Sequence, residues 1–211
     1  VFSLPTVEIA MASERVRRER AASNPTQARG FYGIAVLSDR VAFVIDKSGS
    51  MDAPASVPGR TRVHGSAGPT RLDVAKQQLG DAIEGLVPGA RFNVLFFDSG
   101  VASWRAGLAE KTPSSVRQAL GFVKSPQAAG GTNLHDALVE ALRNERVDTV
   151  YLLSDGDPSA GSVVDASAIR ESIRRVNRRR GVRIHCISIG QDSALLRALA
   201  KEHGGEYKRA G

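Results

Sequence analysis

Three short segments carry side chains that could do chemistry together. Asp46-Lys47-Ser48-Gly49-Ser50 sets one carboxylate and two hydroxyls at alternating positions, and the glycine between the serines permits a tight turn in which their oxygens converge. Gly130-Gly131-Thr132-Asn133 adds a third hydroxyl, and Ser154-Asp155-Gly156-Asp157-Pro158 adds a second carboxylate. Taken singly, each segment has an ordinary reading, because Ser, Gly, Asn and Asp favour turns and helix caps for local hydrogen-bonding reasons. Taken together, they offer two carboxylates and three hydroxyls with no nitrogen or sulfur donor, which suits a hard divalent cation. Magnesium takes six oxygens and keeps several waters, so a site with few charged ligands leaves a position for an outside oxygen, such as a partner's carboxylate.

Such convergence requires a fold that brings the three segments to one edge. Val41 to Ile45 is a run of five apolar residues, three of them β-branched, as in a strand covered on both faces, and Asp46 ends it. Leu72, Ala75, Leu79, Ile83 and Leu86 recur at helical spacing after a loop from Met51 to Thr70 that is rich in proline and glycine. Phe92 to Phe97 reads as a second strand, and Val101 to Trp104 follows too closely for anything but an antiparallel hairpin. Val116, Leu120 and Val123 predict a helix, and Leu134, Leu138 and Leu142 another. Thr149 to Leu153 predicts a strand ending at Asp155, and Ile169, Ile173 and Val176 one face of an arginine-rich helix. Val182 to Ile189 predicts a strand, Leu195, Leu196 and Leu199 a helix, and Glu206 to Arg209 a short last strand. Alternation of this kind implies an α/β domain with a mostly parallel sheet, and ligands in such sheets bind beyond the carboxyl ends of the strands. Residues 1–38 read as an N-terminal extension, helical over Thr6 to Arg20, and 39–211 as the domain proper.

Asp46-Lys47-Ser48-Gly49-Ser50-Met51, Thr132 within Gly-Gly-Thr-Asn-Leu, and Asp155 within Ser-Asp-Gly-Asp-Pro closely resemble the three parts of the metal-ion-dependent adhesion site of von Willebrand factor type A domains. The resemblance covers about residues 40–211. It implies a doubly wound, Rossmann-like fold with helices on both faces of a six-stranded, mostly parallel sheet that has one antiparallel strand. It also implies that Asp46, Ser48, Ser50, Thr132 and Asp155 hold Mg²⁺, with Mn²⁺ or Ca²⁺ as alternatives, the last Asp acting through water. The implied role is protein binding in which a partner's acidic residue completes the metal's shell, by a monomeric domain of a larger protein. Some family members switch affinity by sliding the last helix, here Ala194 to Glu202. The Met51 to Thr70 loop is longer than in compact members, which makes it a candidate for partner specificity or for covering the metal.

Other functions meet obstacles in the same residues. An aspartate-based phosphotransferase also places an Asp at a strand end beside Mg²⁺, but needs a second Asp two residues on, where Ser48 stands. No phosphate-binding Gly-x-x-x-x-Gly-Lys loop, Gly-x-Ser-x-Gly elbow or paired His at i, i+4 occurs, and His64, His135, His185 and His203 are scattered, so a non-enzymatic chain is expected. The chain of 211 residues has 29 Lys and Arg against 22 Asp and Glu, a net charge of +7. That excess is concentrated between Arg170 and Arg183, which holds seven arginines against Glu171. Metal-independent binding of nucleic acid or an acidic partner by this basic helix is therefore the alternative function, although no aromatic residues are interleaved for base stacking. A purely structural module with an unused ion is a third reading. Cys186, the single cysteine, excludes an intrachain disulfide and is expected in the core. No apolar run reaches the length of a membrane-spanning helix, so the segment is expected to be soluble, in a compartment that the sequence does not specify.

Overall fold

In a computed structural model of the chain, which describes residues 30–55 and 68–210, the apolar runs form a twisted sheet between two helical layers. The elements in chain order are β1 (Arg40–Asp46), a 3₁₀ turn (Gly49–Asp52), α1 (Arg71–Gly85), β2 (Arg91–Phe97), β3 (Val101–Ser103), β4 (Ala109–Glu110) and α2 (Pro113–Lys124), then α3 (Leu134–Arg143), β5 (Thr149–Ser154), α4 (Ala166–Asn177), β6 (Arg183–Ile189), α5 (Ala194–Glu202) and β7 (Tyr207–Ala210). The strand order is β3-β2-β1-β5-β6-β7. β1, β2, β5, β6 and β7 are mutually parallel, and β3 and β4 run antiparallel to β2. The expected single antiparallel strand is thus an edge in two pieces. β3 covers the carboxyl half of β2 and β4 its amino half, the chain leaving the edge between them near Trp104, whose ring stacks on Phe92 at 5.2 Å.

Side-chain alternation along the central strands divides the core in two. Val41, Phe43 and Ile45 join Leu72, Leu79 and Ile83 of α1 and Ala119 and Val123 of α2 on one face. Ala42 and Val44 join α3, α4 and α5 on the other, through Leu138, Ile169, Ile173, Leu196 and Leu199. Burial of each large apolar side chain is worth about 1.5–3 kcal/mol, enough to pin the strand register against a one-residue slip that would reverse every face. Phe31, Ile34 and Val36, within the stretch expected to be an extension, are buried in the first cluster. Cys186 is buried in the second, and burial pushes its thiol pKa up.

Helix starts are set by caps that the sequence supplies. Thr70 and Asp73 form a reciprocal capping box on α1, Thr112 and Ser115 form one on α2 with Pro113 at its first position, and Asn133, Asp165 and Ser193 cap α3, α4 and α5. The last turn of α4 departs from expectation: Val176 is 37% exposed and Asn177 is buried in its place. The Asn177 amide exchanges two hydrogen bonds with the backbone of Val182, at 2.7 and 2.8 Å, and this local closure draws it inward. No described helix is long and apolar enough to cross a membrane. The expected Thr6 to Arg20 helix, His64 and most of the Met51 to Thr70 loop lie outside the described residues.

Candidate metal centre

The sheet order reverses between β1 and β5, which neighbour each other although β2 follows β1 in the chain. The carboxyl ends of these two strands therefore bound the crevice where doubly wound sheets bind ligands. Asp46 is the last residue of β1 and Ser154 the last of β5, so the expected segments arrive at this crevice by strand polarity alone.

Asp46 is fully buried. Its Oδ1 accepts the Ser48 backbone N–H at 2.7 Å, and its Oδ2 accepts the Ser154 hydroxyl. Among the described residues no Lys or Arg pairs with it, and burial raises its pKa to about 6 against the opposing pull of Ser154 and Ser48. The Ser48 and Ser50 hydroxyls are 3.1 Å apart, and Ser50 donates to Asp155 Oδ1 at 2.6 Å. Four of the five expected residues thus form one hydrogen-bonded chain. Thr132, the fifth, is buried in the adjoining loop. Gly49 N–H donates to the Gly130 carbonyl at 3.1 Å, and Ala129 N–H to that of Lys47 at 2.9 Å, which joins the Thr132 loop to the first segment. The Thr132 N–H donates to the Ser159 hydroxyl at 3.0 Å and its carbonyl accepts from Ser159 N–H at 3.1 Å, which joins it to the segment after β5. Gly130 has a φ of +72°, and a side chain there would meet Ser99 Oγ at 2.9 Å, so glycine is required for this approach.

Three neighbours of the site carry no role in the sequence reading. Ser154 lies inside the quoted Ser-Asp-Gly-Asp-Pro segment, and strand alternation was the signal that could have aimed its hydroxyl at Asp46. Lys47 pairs with Asp98, whose carboxyl is held below its usual pKa by that cation and the Gly100 N–H, against the opposing effect of burial. Arg71 pairs with Asp155, its Nη1 lying 2.6 Å from Oδ2. It is the first residue of α1, and no motif in the sequence marks it.

The donor set fits a hard divalent cation: two buried carboxylates and three hydroxyls, with the Asp46 charge uncompensated by any described side chain. No cluster of three or more His, Cys, Asp or Glu able to hold a metal occurs among the described residues, at this site or elsewhere, so an ion here would depend on hydroxyl oxygens. His135 contacts Asp136, Ser162 and Ser172, and His185 stacks on Tyr151 with ring centroids 4.7 Å apart. His203 Nδ1 contacts the Asn177 amide at 3.1 Å. The basic segment is partly consumed inside the domain: Arg170 and Arg174 pair with Glu202, and Arg180 donates to the carbonyls of Leu142, Asn144 and Val147. Arg175, Arg178 and Arg179 are exposed.

Fold and site together define a doubly wound α/β domain with an oxygen-lined cluster at its topological switch point. The chain belongs to the von Willebrand factor type A domain family, whose model matches residues 63–209. It is 30% identical over 191 residues to human inter-alpha-trypsin inhibitor heavy chain H4, covering 84% of this chain and 19% of that protein. It is 29% identical over 184 residues to human von Willebrand factor A domain-containing protein 3A, covering 85% of this chain and 14% of that one. The chain thus spans less than a fifth of the length of these relatives. Among solved structures, a von Willebrand factor type A protein from Catenulispora acidiphila superposes with a TM-score of 0.67 at 24% identity, over 84% of this chain and 40% of that one, which supports the fold. Family membership supports a protein-interaction module in general terms.

Proposed function

We propose that this domain binds a protein partner through a divalent metal ion, Mg²⁺ by the hardness of the donors, held by Asp46, Ser48, Ser50, Thr132 and Asp155. The carrying observation is Asp46, a fully buried carboxylate with no described cationic partner, held by the Ser48 N–H and the Ser154 hydroxyl beside the linked hydroxyls of Ser48 and Ser50. A buried, uncompensated charge is costly, and a cation at this point removes the cost. When bound, the ion supplies a coordination position to an oxygen from outside. A carboxylate of the partner suits it in charge and hardness. The protein's own part is to fix the donors: the Ser48 N–H and the Ser154 hydroxyl orient Asp46, and Ser50 orients Asp155.

No enzymatic step belongs to this proposal. His135 does lie between Asp136 and the Ser172 hydroxyl, at 2.8 and 2.9 Å, but Ser172 is in mid-helix on α4, where backbone N–H groups are committed to the helix and none is left to stabilise an oxyanion. The metal-independent alternative loses weight because Arg170, Arg174 and Arg180 serve internal contacts.

Calorimetric titration of Mg²⁺ and Mn²⁺ into the EDTA-stripped chain, beside Asp46→Ala and Thr132→Ala, tests the assignment. The expected result is one-site binding that Asp46→Ala abolishes, with Thr132→Ala folded but weakened in magnesium-dependent capture of Asp/Glu-containing peptides. Undiminished metal binding by Asp46→Ala would sink the proposal.

A further inference from the structure

Arg71 is tied to two of the segments that build the candidate metal centre and to the loop after β6. Its backbone N–H donates to the Ala53 carbonyl at 2.9 Å, just past the turn that carries Ser50. Its guanidinium meets Asp155 Oδ2 at 2.6 Å, in the segment after β5. The same guanidinium lies over Gly190, beyond β6, so closely that a Cβ there would sit 2.7 Å from Nη2 and 3.0 Å from Cζ. Gly190 has a φ of +80°, which disfavours a side chain, and one placed there would push the Arg71 guanidinium aside. The capping box of Thr70 and Asp73 fixes the start of α1, and with it the direction from which Arg71 reaches the site.

The pairing gives each oxygen of Asp155 a donor. One carboxylate oxygen accepts Ser50 and the other Arg71, on a side chain with no exposure, while Arg71 itself is 25% exposed. Asp46 and Asp155 carry two negative charges, and the guanidinium cancels one of them. It opposes the approach of a second cation while holding Ser50 and Asp155 in the donor cluster.

We propose that Arg71 is the resident counter-cation of this site: it keeps the donor loops assembled without metal and lowers the affinity for the divalent ion by its charge. The inference rests on the metal-binding reading above and adds what tunes that binding. Arg71 acts through Asp155 and through its field, as a positioning residue rather than a ligand. A unit positive charge one side chain away from a divalent ion is worth about tenfold in affinity even at water-like screening, and the effect falls as salt is added.

The test compares wild type with Arg71→Gln, which keeps an N–H donor for Asp155 but removes the charge, and with Arg71→Met, which removes both. Mn²⁺ is titrated calorimetrically at low ionic strength, and melting is followed in EDTA and in saturating Mg²⁺. The expected result is Mn²⁺ binding about tenfold tighter in Arg71→Gln, a gap that narrows with added salt. Arg71→Met should melt lower than wild type in EDTA and gain more from Mg²⁺. A merely structural clip predicts the opposite sign, with metal affinity falling as the loops loosen. If wild type binds the ion and Arg71→Gln binds it equally or more weakly, the counter-cation role is refuted while the metal site stands. If neither binds an ion, both readings fail. Should Arg71→Met show no cooperative melt, Arg71→Gln alone decides the matter.

Discussion

Replacing Ser154 with alanine measures how strongly the donor cluster depends on hydrogen bonds to a buried charge. The fold supplies a comparison, because Ser154 and Ser188 are register partners on β5 and β6, both buried, each donating a short hydroxyl hydrogen bond, with the Gly156 backbone N–H a further, long contact of Ser154 at 3.5 Å. Ser154 donates to the Asp46 carboxylate, and Ser188 to the neutral Gln191 carbonyl at 2.6 Å. Serine to alanine removes an oxygen and no carbon, so the cavity contribution is small and similar at the two positions. A neutral hydrogen bond contributes about 0.5–1.5 kcal/mol net, and one to a charged group about 1.5–3 kcal/mol. At pH 8, above the value of about 6 to which burial raises Asp46, the carboxylate is ionised in the folded chain. Ser154→Ala is then expected to cost about 2 kcal/mol and Ser188→Ala about 1 kcal/mol. Urea unfolding in EDTA, read by circular dichroism, resolves the difference: with a slope of about 2 kcal/mol per molar, the two midpoints should lie about 0.5 M apart. Equal midpoints at unchanged slope, or Ser188→Ala as the weaker variant, would refute the idea that Ser154 holds a buried charge in place.

The arginine segment divides by contact. Arg180→Ala should lose about 2 kcal/mol in the same unfolding assay, since its guanidinium satisfies carbonyls at the end of α3, whereas exposed Arg178→Ala should stay within about 0.5 kcal/mol. His185 makes an acid-sensitive contribution. It is buried against Tyr151, its Nδ1 accepts the Glu206 N–H at 3.0 Å, and burial, assisted by Arg183, lowers its pKa from 6.5 to about 4. The unfolded chain takes up this proton first, so the stabilisation is full above pH 6.5 and disappears as pH falls to about 4, a loss of about 3 kcal/mol. Unfolding midpoints across that window should flatten in His185→Gln, and an unchanged pH slope would refute the assignment.

Legibility in the sequence followed how local each signal was. β1 announced itself because Val41–Ile45 is apolar without a break, and Asp46 and Asp155 were placed at one edge because parallel strands must end on the same side. β4 had no signal: two residues, Ala109 and Glu110, pair with β2 only because the chain returns past Trp104 to finish an edge that β3 leaves half covered. Asn177 displaced Val176 from the buried face through two hydrogen bonds to Val182, a contact that periodicity does not see. The candidate ligands lay in three dense motifs and were read directly. Arg71 was not, since its meaning comes from a residue 84 positions away, and nothing in the composition of the α1 start distinguishes a capping turn from one that also reaches across the sheet edge.

The two charged regions differ in what the fold has already done with their charge. Along and just past α4, Glu202 pairs with Arg170 and Arg174 and backbone carbonyls hold Arg180, so the donors of these cations are engaged inside the domain although only one of the three charges meets an opposite one. At the carboxyl edge of the sheet, the Lys47 and Arg71 charges are taken by Asp98 and Asp155, and Asp46 is left buried with hydroxyl and amide donors alone. Hydrogen bonds orient a carboxylate but leave its net charge, so a cation arriving at this edge would release free energy. Binding that favours the folded state over the unfolded one raises stability by mass action. Metal affinity and the metal-induced rise in melting temperature must therefore move together here, and Asp46→Ala should abolish both. A rise that survives that substitution would place the ion elsewhere on the domain.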